Sequence, residues 1–237
     1  MKNLKAIIVS LTTVIVLTSC SNNNCITGEG SYSSKEYNLS PFSGVSVAGD
    51  ADVFITKDSI QSVRIEAQGN VLNALNVAVR GNKLVIGEDN CFRKISRMKV
   101  YISTPTFNEM IASGSIHVYS PDLFSSNVFK AVLSGTGEMN LNLNVQELHA
   151  SISGSGDIVA NGTAVKQYLS SSGDGYFGCF GLIGDHVDID VSGSATAEVH
   201  ATQTLNIDVS GTAFIYYKGH PQITQKISGT ATIVDAN

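Results

Sequence analysis

The sequence contains no tryptophan, and its arginines are confined to the first part of the chain. All four arginines lie before residue 100, and the lysines form no basic cluster. Fifteen basic residues against 20 acidic ones give a net charge of −5, which becomes −7 when Lys2 and Lys5 are removed with the N-terminal segment. Because a nucleic-acid partner requires a positive surface that follows the phosphates, this composition argues against nucleic-acid binding.

Patterns typical of catalysis and metal binding are also missing. The five histidines are scattered, and none lies in a His-Glu-x-x-His zinc motif. The serines of the repeated Ser-Gly pairs do not have the Gly-x-Ser-x-Gly context of a nucleophile elbow. From Phe107 onward there is no arginine, and the four lysines fall at different positions of the repeat. We therefore expect no catalytic residues, no metal and no cofactor; a polysaccharide-active β-helix enzyme is a second alternative.

The N-terminal apolar run is too short to span a bilayer comfortably. Residues 1–19 carry a basic head at Lys2 and Lys5, an apolar stretch over residues 6–17, and then Leu-Thr-Ser before Cys20. This order is typical of a secretory signal peptide. It resembles the bacterial lipobox, in which the first mature cysteine receives diacylglycerol. We expect Cys20 to be the lipid attachment site and the chain to be exported to the outer membrane of a Gram-negative envelope; the alternative is an ordinary signal peptide with a chance cysteine.

Cysteines are few as well. With Cys20 assigned to lipid, Cys25, Cys91 and Cys179 remain, so at most one intramolecular disulfide can form. Cys179 lies in the apolar run 177–180 and is expected to be a small buried side chain. A bridge between Cys25 and Cys91 is left open. Residues 20–40, which are rich in serine and asparagine and lack apolar periodicity, are predicted to be a flexible tether.

What the chain does contain is a repeated Ser-Gly pair. Its glycines are spaced 21, 19, 19, 20, 18 and 18 residues apart, at positions 114, 135, 154, 173, 193, 211 and 229. Self-similarity at a nearly fixed period is typical of repeat architectures.

When the repeats are aligned on this glycine, apolar residues recur two, four and six positions before it. In the six copies from Gly135 onward, glycine or alanine stands two positions after it, and the positions between are mostly polar. Alternation with period two indicates a strand, and a glycine inside a strand marks a bend. The pattern predicts an all-β fold, a parallel β-solenoid of about six to seven coils of about 19 residues, in which the apolar columns of successive coils stack.

The part before the regular repeats is predicted to be a β-rich N-terminal cap. Residues 45–55 have the layout of a first coil, residues 63–67 alternate as a strand, and residues 77–86 form a hairpin with a Gly-Asn turn. A further strand over residues 100–102 ends before Pro105. We expect one domain over residues 42–237, with the cap and first coils in residues 42–106 and the regular repeats in residues 107–237.

Taken together, these motifs resemble a known family. They are the lipobox, the opening Phe42-Ser43-Gly44-Val45-Ser46-Val47-Ala48-Gly49, the Asn82-Lys83-Leu84-Val85-Ile86 strand and the Ser-Gly-[Ser/Thr]-[Gly/Ala] coils. The chain resembles the DUF2807 family, also called the auto-transporter adhesin head GIN domain. The resemblance implies a β-solenoid on the cell envelope with an adhesive role. Since neither a coiled-coil stalk nor a barrel segment is evident, we expect the lipid on Cys20 to replace that anchor.

The expected function is therefore that of a non-enzymatic envelope lipoprotein, an adhesin or surface-binding module. Its ligand, an unknown glycan or protein, is expected on polar ladders of the outer faces, for instance near Tyr168, Tyr176, Tyr216 and Tyr217. The alternative is a structural or assembly protein of the outer membrane. Because the sequence ends inside the last coil, that open coil is expected either to be covered by an earlier loop or to support a weak homo-oligomer.

One outward column combines acidic and basic residues. Three positions before the repeat glycine stand Ser151, Ser170, Asp190, Asp208 and Lys226 in successive coils. We expect Lys226 to pair with Asp208 across the ladder and no ion to bind here, because a calcium site needs six or more oxygen ligands.

Overall fold

The computed structural model describes residues 25–237. Its elements, in chain order, are β1 Ile26–Thr27, β2 Tyr32–Tyr37, β3 Gly44–Lys57, β4 Ser62–Gln68, α1 Gly69–Ala74, β5 Val77–Arg80, β6 Lys83–Ile86, β7 Phe92–Arg93, β8 Met98–Thr104, β9 Glu109–Ile152, β10 Ser155–Ser171, β11 Asp174–Val191, β12 Ser194–Val209, β13 Thr212–Lys218, β14 Gln222–Ile227 and β15 Thr230–Asp235. The strands are long because several of them bend around corners without interrupting the backbone ladder.

Successive coils stack in parallel, which confirms the predicted β-solenoid. From β3 onward the order is β3-β9-β10-β11-β12-β13-β15, with β14 also on β12, and each of these pairs is parallel. The coil count expected from the glycine spacing is roughly consistent with this stack.

The repeat glycines form a column at one corner because two backbones meet there. Gly49 lies in register with Gly114, so the column begins in the coil that sequence analysis identified as the first copy. A Cβ atom on any later glycine of the column would overlap the carbonyl oxygen of the glycine in the preceding coil. Gly49, Gly114 and Gly135 also have positive φ values of 117°, 106° and 137°. Steric exclusion along the stack therefore explains the repeated Ser-Gly pair.

The interior is filled by the inward-facing columns. Phe107 packs edge-to-face on Phe124 and Phe129, with ring centroids 5.3 and 5.0 Å apart. In later coils the small column after the glycine includes Ala195 and Ala213, both buried as the alternation predicts. The apolar columns thus form one continuous core that no single coil could bury alone.

The predicted cap is present and continues the sheet. Strand β8 pairs in parallel with β3, and β4 and β2 then add to β8 in antiparallel order. The predicted hairpin consists of β5 and β6, and its turn residues Gly81 and Asn82 have φ values of 55° and 65°. Two successive residues with positive φ match the right-handed twist of a two-residue hairpin.

The predicted flexible tether is wrong for the part of it that the structure describes. Strand β2 pairs with β4 from Tyr32 to Tyr37, and β1 pairs with β7. A disulfide joins Cys25 to Cys91, with their Cα atoms 4.6 Å apart. The pairing left open by the sequence is thereby decided, and residues 25–40 belong to the cap. The signal peptide, Cys20 and the rest of the predicted tether lie outside the described residues.

Candidate functional site

A groove runs along one outer face of the solenoid, across the strands. Its volume is about 510 Å³. Two ladders of outward side chains flank it, one residue from each coil. The upstream ladder, five positions before the repeat glycine, consists of His149, Tyr168, Asp188, Asn206 and Thr224; the downstream ladder, three positions before it, consists of Ser151, Ser170, Asp190, Asp208 and Lys226. We call the space between these ladders the solenoid groove.

The alternation of the strands places both ladders on the same face. Between each pair of outward residues stands one inward residue, such as Leu169, Ile189 or Ile207, and these three side chains are buried. The backbone N–H and C=O groups of β10 and β11 are engaged by the neighbouring coils on both sides. The polar contacts that a ligand can make in the solenoid groove therefore come mainly from side chains.

The upstream ladder begins with a pair of stacked rings. The His149 imidazole and the Tyr168 phenol lie 4.6 Å apart between centroids, with an angle of 16° between their planes. The Nε2 atom of His149 also lies 3.5 Å from a carboxylate oxygen of Glu147. Two coils further on, the Asn206 amide donates a hydrogen bond of 2.6 Å to the Asp188 carboxylate. This bond fixes the amide so that its own oxygen remains an acceptor.

The downstream ladder changes from neutral to charged along the axis. The Ser151 and Ser170 hydroxyls are 2.7 Å apart. Lys226 Nζ donates a 2.9 Å hydrogen bond to Asp208, so the pairing predicted across this ladder is confirmed. That bond and the negative charge of Asp208 raise the pKa of Lys226, with a smaller contribution from Asp190.

Asp190 stands between these pairs with its acceptors available. It is in register with Ser170 on one side and Asp208 on the other. No residue within the range 25–237 gives its side chain a hydrogen bond or a salt bridge. The carboxylate is exposed and faces the solenoid groove. It can therefore accept hydrogen bonds from a ligand at little desolvation cost.

The other tyrosines expected on outer faces do not join this site. Tyr176 lies on the face beyond the corner, where its hydroxyl is 3.0 Å from Glu198. Burial, followed by the bond to Glu198, raises the pKa of Tyr176 to about 12. Tyr216 is in register with Glu198 on that same face. For Tyr217 the expectation was wrong, because its side chain packs against the hydrophobic core.

Neither a metal centre nor a reactive thiol emerges from the described part of the chain. No group of three or more histidine, cysteine or acidic side chains in residues 25–237 could hold a metal ion. Cys179 is fully buried, and burial raises its pKa to about 12. A thiol in that state is a poor nucleophile. Also within these residues, no helix is long and apolar enough to cross a membrane.

Sequence reasoning identified one of the two ladders as an outward column but assigned it no binding role. The downstream ladder was predicted residue by residue from the alignment on the repeat glycine. The upstream ladder was missed as a unit, although Tyr168 was singled out. The signal was present in the same alignment, since His149 and Tyr168 both stand five positions before their glycines. The stacking of the two rings depends on side-chain geometry that the repeat alone does not specify.

Comparison with known proteins gives a family match and several similar folds. A family described as "Putative auto-transporter adhesin, head GIN domain" matches residues 41–221. No curated protein matches the chain.

Solved structures from three organisms share the fold. A "putative adhesin" from Bacteroides fragilis is 23% identical, with a TM-score of 0.75 over 88% of this chain and 100% of that one. A "putative lipid binding protein" from Parabacteroides distasonis is 20% identical, with a TM-score of 0.69 over 88% of this chain and 98% of that one. A "putative adhesin" from Parabacteroides merdae is 22% identical, with a TM-score of 0.69 over 88% of this chain and 97% of that one.

Proposed function

Because the chain belongs to the DUF2807 family of head GIN domains, we propose that it is a non-enzymatic envelope adhesin that holds its ligand in the solenoid groove. The observation that supports this most directly is the groove itself, in which aromatic, amide, hydroxyl and carboxylate groups converge on a volume of about 510 Å³. A concave surface with a few oriented polar groups is the usual form of a binding site. The rigid stack of coils keeps the two ladders in fixed register.

The proposed anchor is a lipid on Cys20. The apolar run and the Leu-Thr-Ser-Cys sequence support it. One acyl chain gives only marginal membrane binding, whereas several together give a stable anchor. Cys20→Ser should therefore leave the protein soluble, or uncleaved in the inner membrane. The lipid anchor is refuted if this variant still sediments with the outer membrane after washing without detergent.

The adhesive role is tested on whole cells that produce the full chain. Protease added to intact cells should degrade the protein, and these cells should adhere to matrix-coated or epithelial surfaces more than cells without it. Adherence should fall to background with Tyr168→Ala combined with Asp190→Ala. The matched control combines Tyr119→Ala with Asp174→Ala, two exposed positions away from the solenoid groove. Protection from protease on intact cells, or adherence that does not depend on the protein, would contradict an adhesin.

The second candidate is a structural or assembly protein of the outer membrane. The observation that favours it is the exposed last coil, since β14 and β15 are paired on one side only among the described strands. Such edges are suited to pairing with another chain. Full protection from protease, together with concentration-dependent self-association, would favour this role over adhesion.

A further inference from the structure

Resting on the proposed function, we infer that the ligand of the solenoid groove is a linear neutral glycan lying parallel to the solenoid axis. Four features carry this inference. They are the shape of the groove, the kinds of side chains in it, its charge, and the pairing of both edges of β10, β11 and β12 with neighbouring strands.

The shape favours an extended chain. The two ladders cross five coils, and at a strand spacing of about 4.8 Å their ends are roughly 19 Å apart. Polar groups therefore recur at each coil, with a repeat close to the length of one pyranose unit in an extended polysaccharide. A linear glycan can present successive sugars to successive coils, whereas a compact metabolite would contact only one or two rungs.

The side chains match the two surfaces of a sugar ring. The stacked pair of Tyr168 and His149 supplies an aromatic patch against which the C–H face of a pyranose can pack. The next coils supply the free carboxylate of Asp190 and the hydrogen-bonded pair of Asp188 and Asn206. Carboxylate and amide oxygens accept hydrogen bonds from sugar hydroxyls, and bonds to a charged acceptor are the stronger ones. An aromatic patch next to such acceptors can orient a sugar, because the patch packs against the C–H face of the ring and the acceptors bind its hydroxyl groups.

The charge of the solenoid groove disfavours an acidic polymer. Among the described residues that line the groove, Asp188, Asp190 and Asp208 contribute three carboxylates, and the one lysine, Lys226, is already bonded to Asp208. A uronic-acid or sulfated polymer would meet these carboxylates without a free cation to offset the repulsion. A neutral glycan carries no such cost.

Hydrogen bonding within the solenoid disfavours an extended peptide. Peptides that bind along a sheet usually add a strand to a free edge. Strand β10 is paired with β9 and β11, and β11 is paired with β10 and β12. No edge opens into the solenoid groove between these strands. A ligand there must be recognised through side chains, as sugars commonly are.

The test is isothermal titration of the full-length lipoprotein in detergent. The probes are four neutral hexasaccharides, namely cellohexaose, laminarihexaose, xylohexaose and mannohexaose, and one acidic probe, hexagalacturonate. We expect at least one neutral probe to bind and the acidic probe not to bind. Tyr168→Ala should weaken that binding about tenfold, the upper range for loss of an aromatic contact. Asp190→Asn should weaken it too, because it replaces a charged acceptor by a neutral one.

Matched variants separate recognition from folding. Tyr119→Ala removes an exposed ring, and Asp174→Asn removes an exposed carboxylate, both outside the solenoid groove. Both should bind as the unmodified protein does. The inference is overturned if no neutral probe binds, if hexagalacturonate binds more tightly, or if these controls lose as much affinity as Tyr168→Ala. Adherence of cells without any neutral glycan binding would refute the glycan and leave the adhesin; glycan binding without surface exposure would refute the adhesin alone.

Discussion

Each repeat glycine is required by the coil beneath it. A methyl group on Gly211 would overlap the carbonyl oxygen of Gly193 and approach Ser192 within 2.9 Å. Gly211 is not among the glycines with positive φ, so the restriction there is steric. Gly211→Ala must therefore separate two coils locally, and it should lower the free energy of unfolding by about 1–3 kcal/mol, as overpacking typically does. The midpoint of thermal or urea unfolding measures this loss.

Gly69→Ala is the matched control for that substitution. Its added methyl group would meet only Ser33 Oγ, at 3.7 Å, an ordinary contact. Gly69 opens helix α1, where alanine has the higher helix propensity. The control should be neutral or slightly stabilising. If Gly211→Ala were as stable as Gly69→Ala, close approach of backbones could not explain the glycine column.

Asp157 gives a prediction about pH at the same scale. Partial burial raises the pKa of Asp157, and the neighbouring charge of Glu138, its in-register partner in the previous coil, raises it further. A carboxyl whose pKa is higher in the folded state than in the unfolded state destabilises the fold when it is ionised. Asp157→Asn should therefore raise the thermal midpoint at neutral pH. That gain should disappear as the pH falls through the folded-state pKa, because Asp157 is then protonated.

The control for Asp157 is Asp174→Asn, an exposed carboxylate in the following coil. It has no acidic in-register neighbour on β10 or β12, since it is aligned with Ser155 and Ser194. Its replacement should leave the thermal midpoint at neutral pH unchanged. An Asp157→Asn gain of equal size at neutral and acid pH would mean that packing, and not ionisation, is responsible.

At the scale of elements, the repeat and most cap strands could be predicted from the sequence, whereas strands β1 and β2 could not. Alternation identified β3, β4 and β8, in which buried side chains alternate with more exposed ones over much of the strand. The Gly-Asn turn identified the β5–β6 hairpin. Strand β2 has exposed side chains at five of its six positions, so it carries no such signal. It is held by backbone pairing with β4, which has no signature in the local sequence. Helix α1, six residues long and without a side-chain cap, was equally hidden.

The disulfide is expected to hold the start of the cap in place. Strand β1 has two residues, and Ile26 and Gly28 donate hydrogen bonds to the carbonyl oxygens of Cys91 and Arg93. A ribbon this short is not stable alone. In the Cys25→Ser/Cys91→Ser variant, the Ile26 and Gly28 amides should exchange with deuterium much faster. Amides of β11, deep in the solenoid, should keep their protection.

Two results of the hydrogen-exchange experiment would contradict this role of the disulfide. Equal protection of Ile26 in both proteins would show that backbone pairing alone holds β1. A loss of protection that extended to β11 would show that the disulfide supports the whole solenoid. Reduction of the unmodified protein is the matched control, since it opens the same bond without a substitution.

At the scale of the whole molecule, the period of the sequence predicts the architecture but not the shape of its surface. Which residues face outward follows from counting positions from the repeat glycine. Whether two ladders enclose a concave space depends on how far the strands twist and bend between corners. The solenoid groove could therefore be recognised only in the structure. The order of Ser170, Asp190, Asp208 and Lys226 along it could be read from the sequence. Which ligand binds depends on the chemistry and charge of the outward side chains, and the repeat pattern does not determine these.

The last coil leads to a prediction about assembly. Every position of β14 is exposed, including the inward positions of Ile223 and Ile227. No described strand pairs with the outer edges of β14 and β15, so the cover by an earlier loop is not found within residues 25–237. We propose that a second copy of the chain pairs with these edges. Sedimentation velocity should then show a dimer whose fraction increases with protein concentration.

Charges on the edge strands should prevent this pairing, because lysines on an edge oppose the approach of another strand. Gln222 and Thr232 are exposed positions of β14 and β15 whose replacement removes no core side chain. Gln222→Lys with Thr232→Lys should give a monomer at all concentrations. The same charge at Thr196→Lys, on the outer face of β12 between two paired strands, should leave the dimer intact. A strict monomer for the unmodified protein would refute the proposal, and a dimer that survives the double substitution would place the contact on another surface.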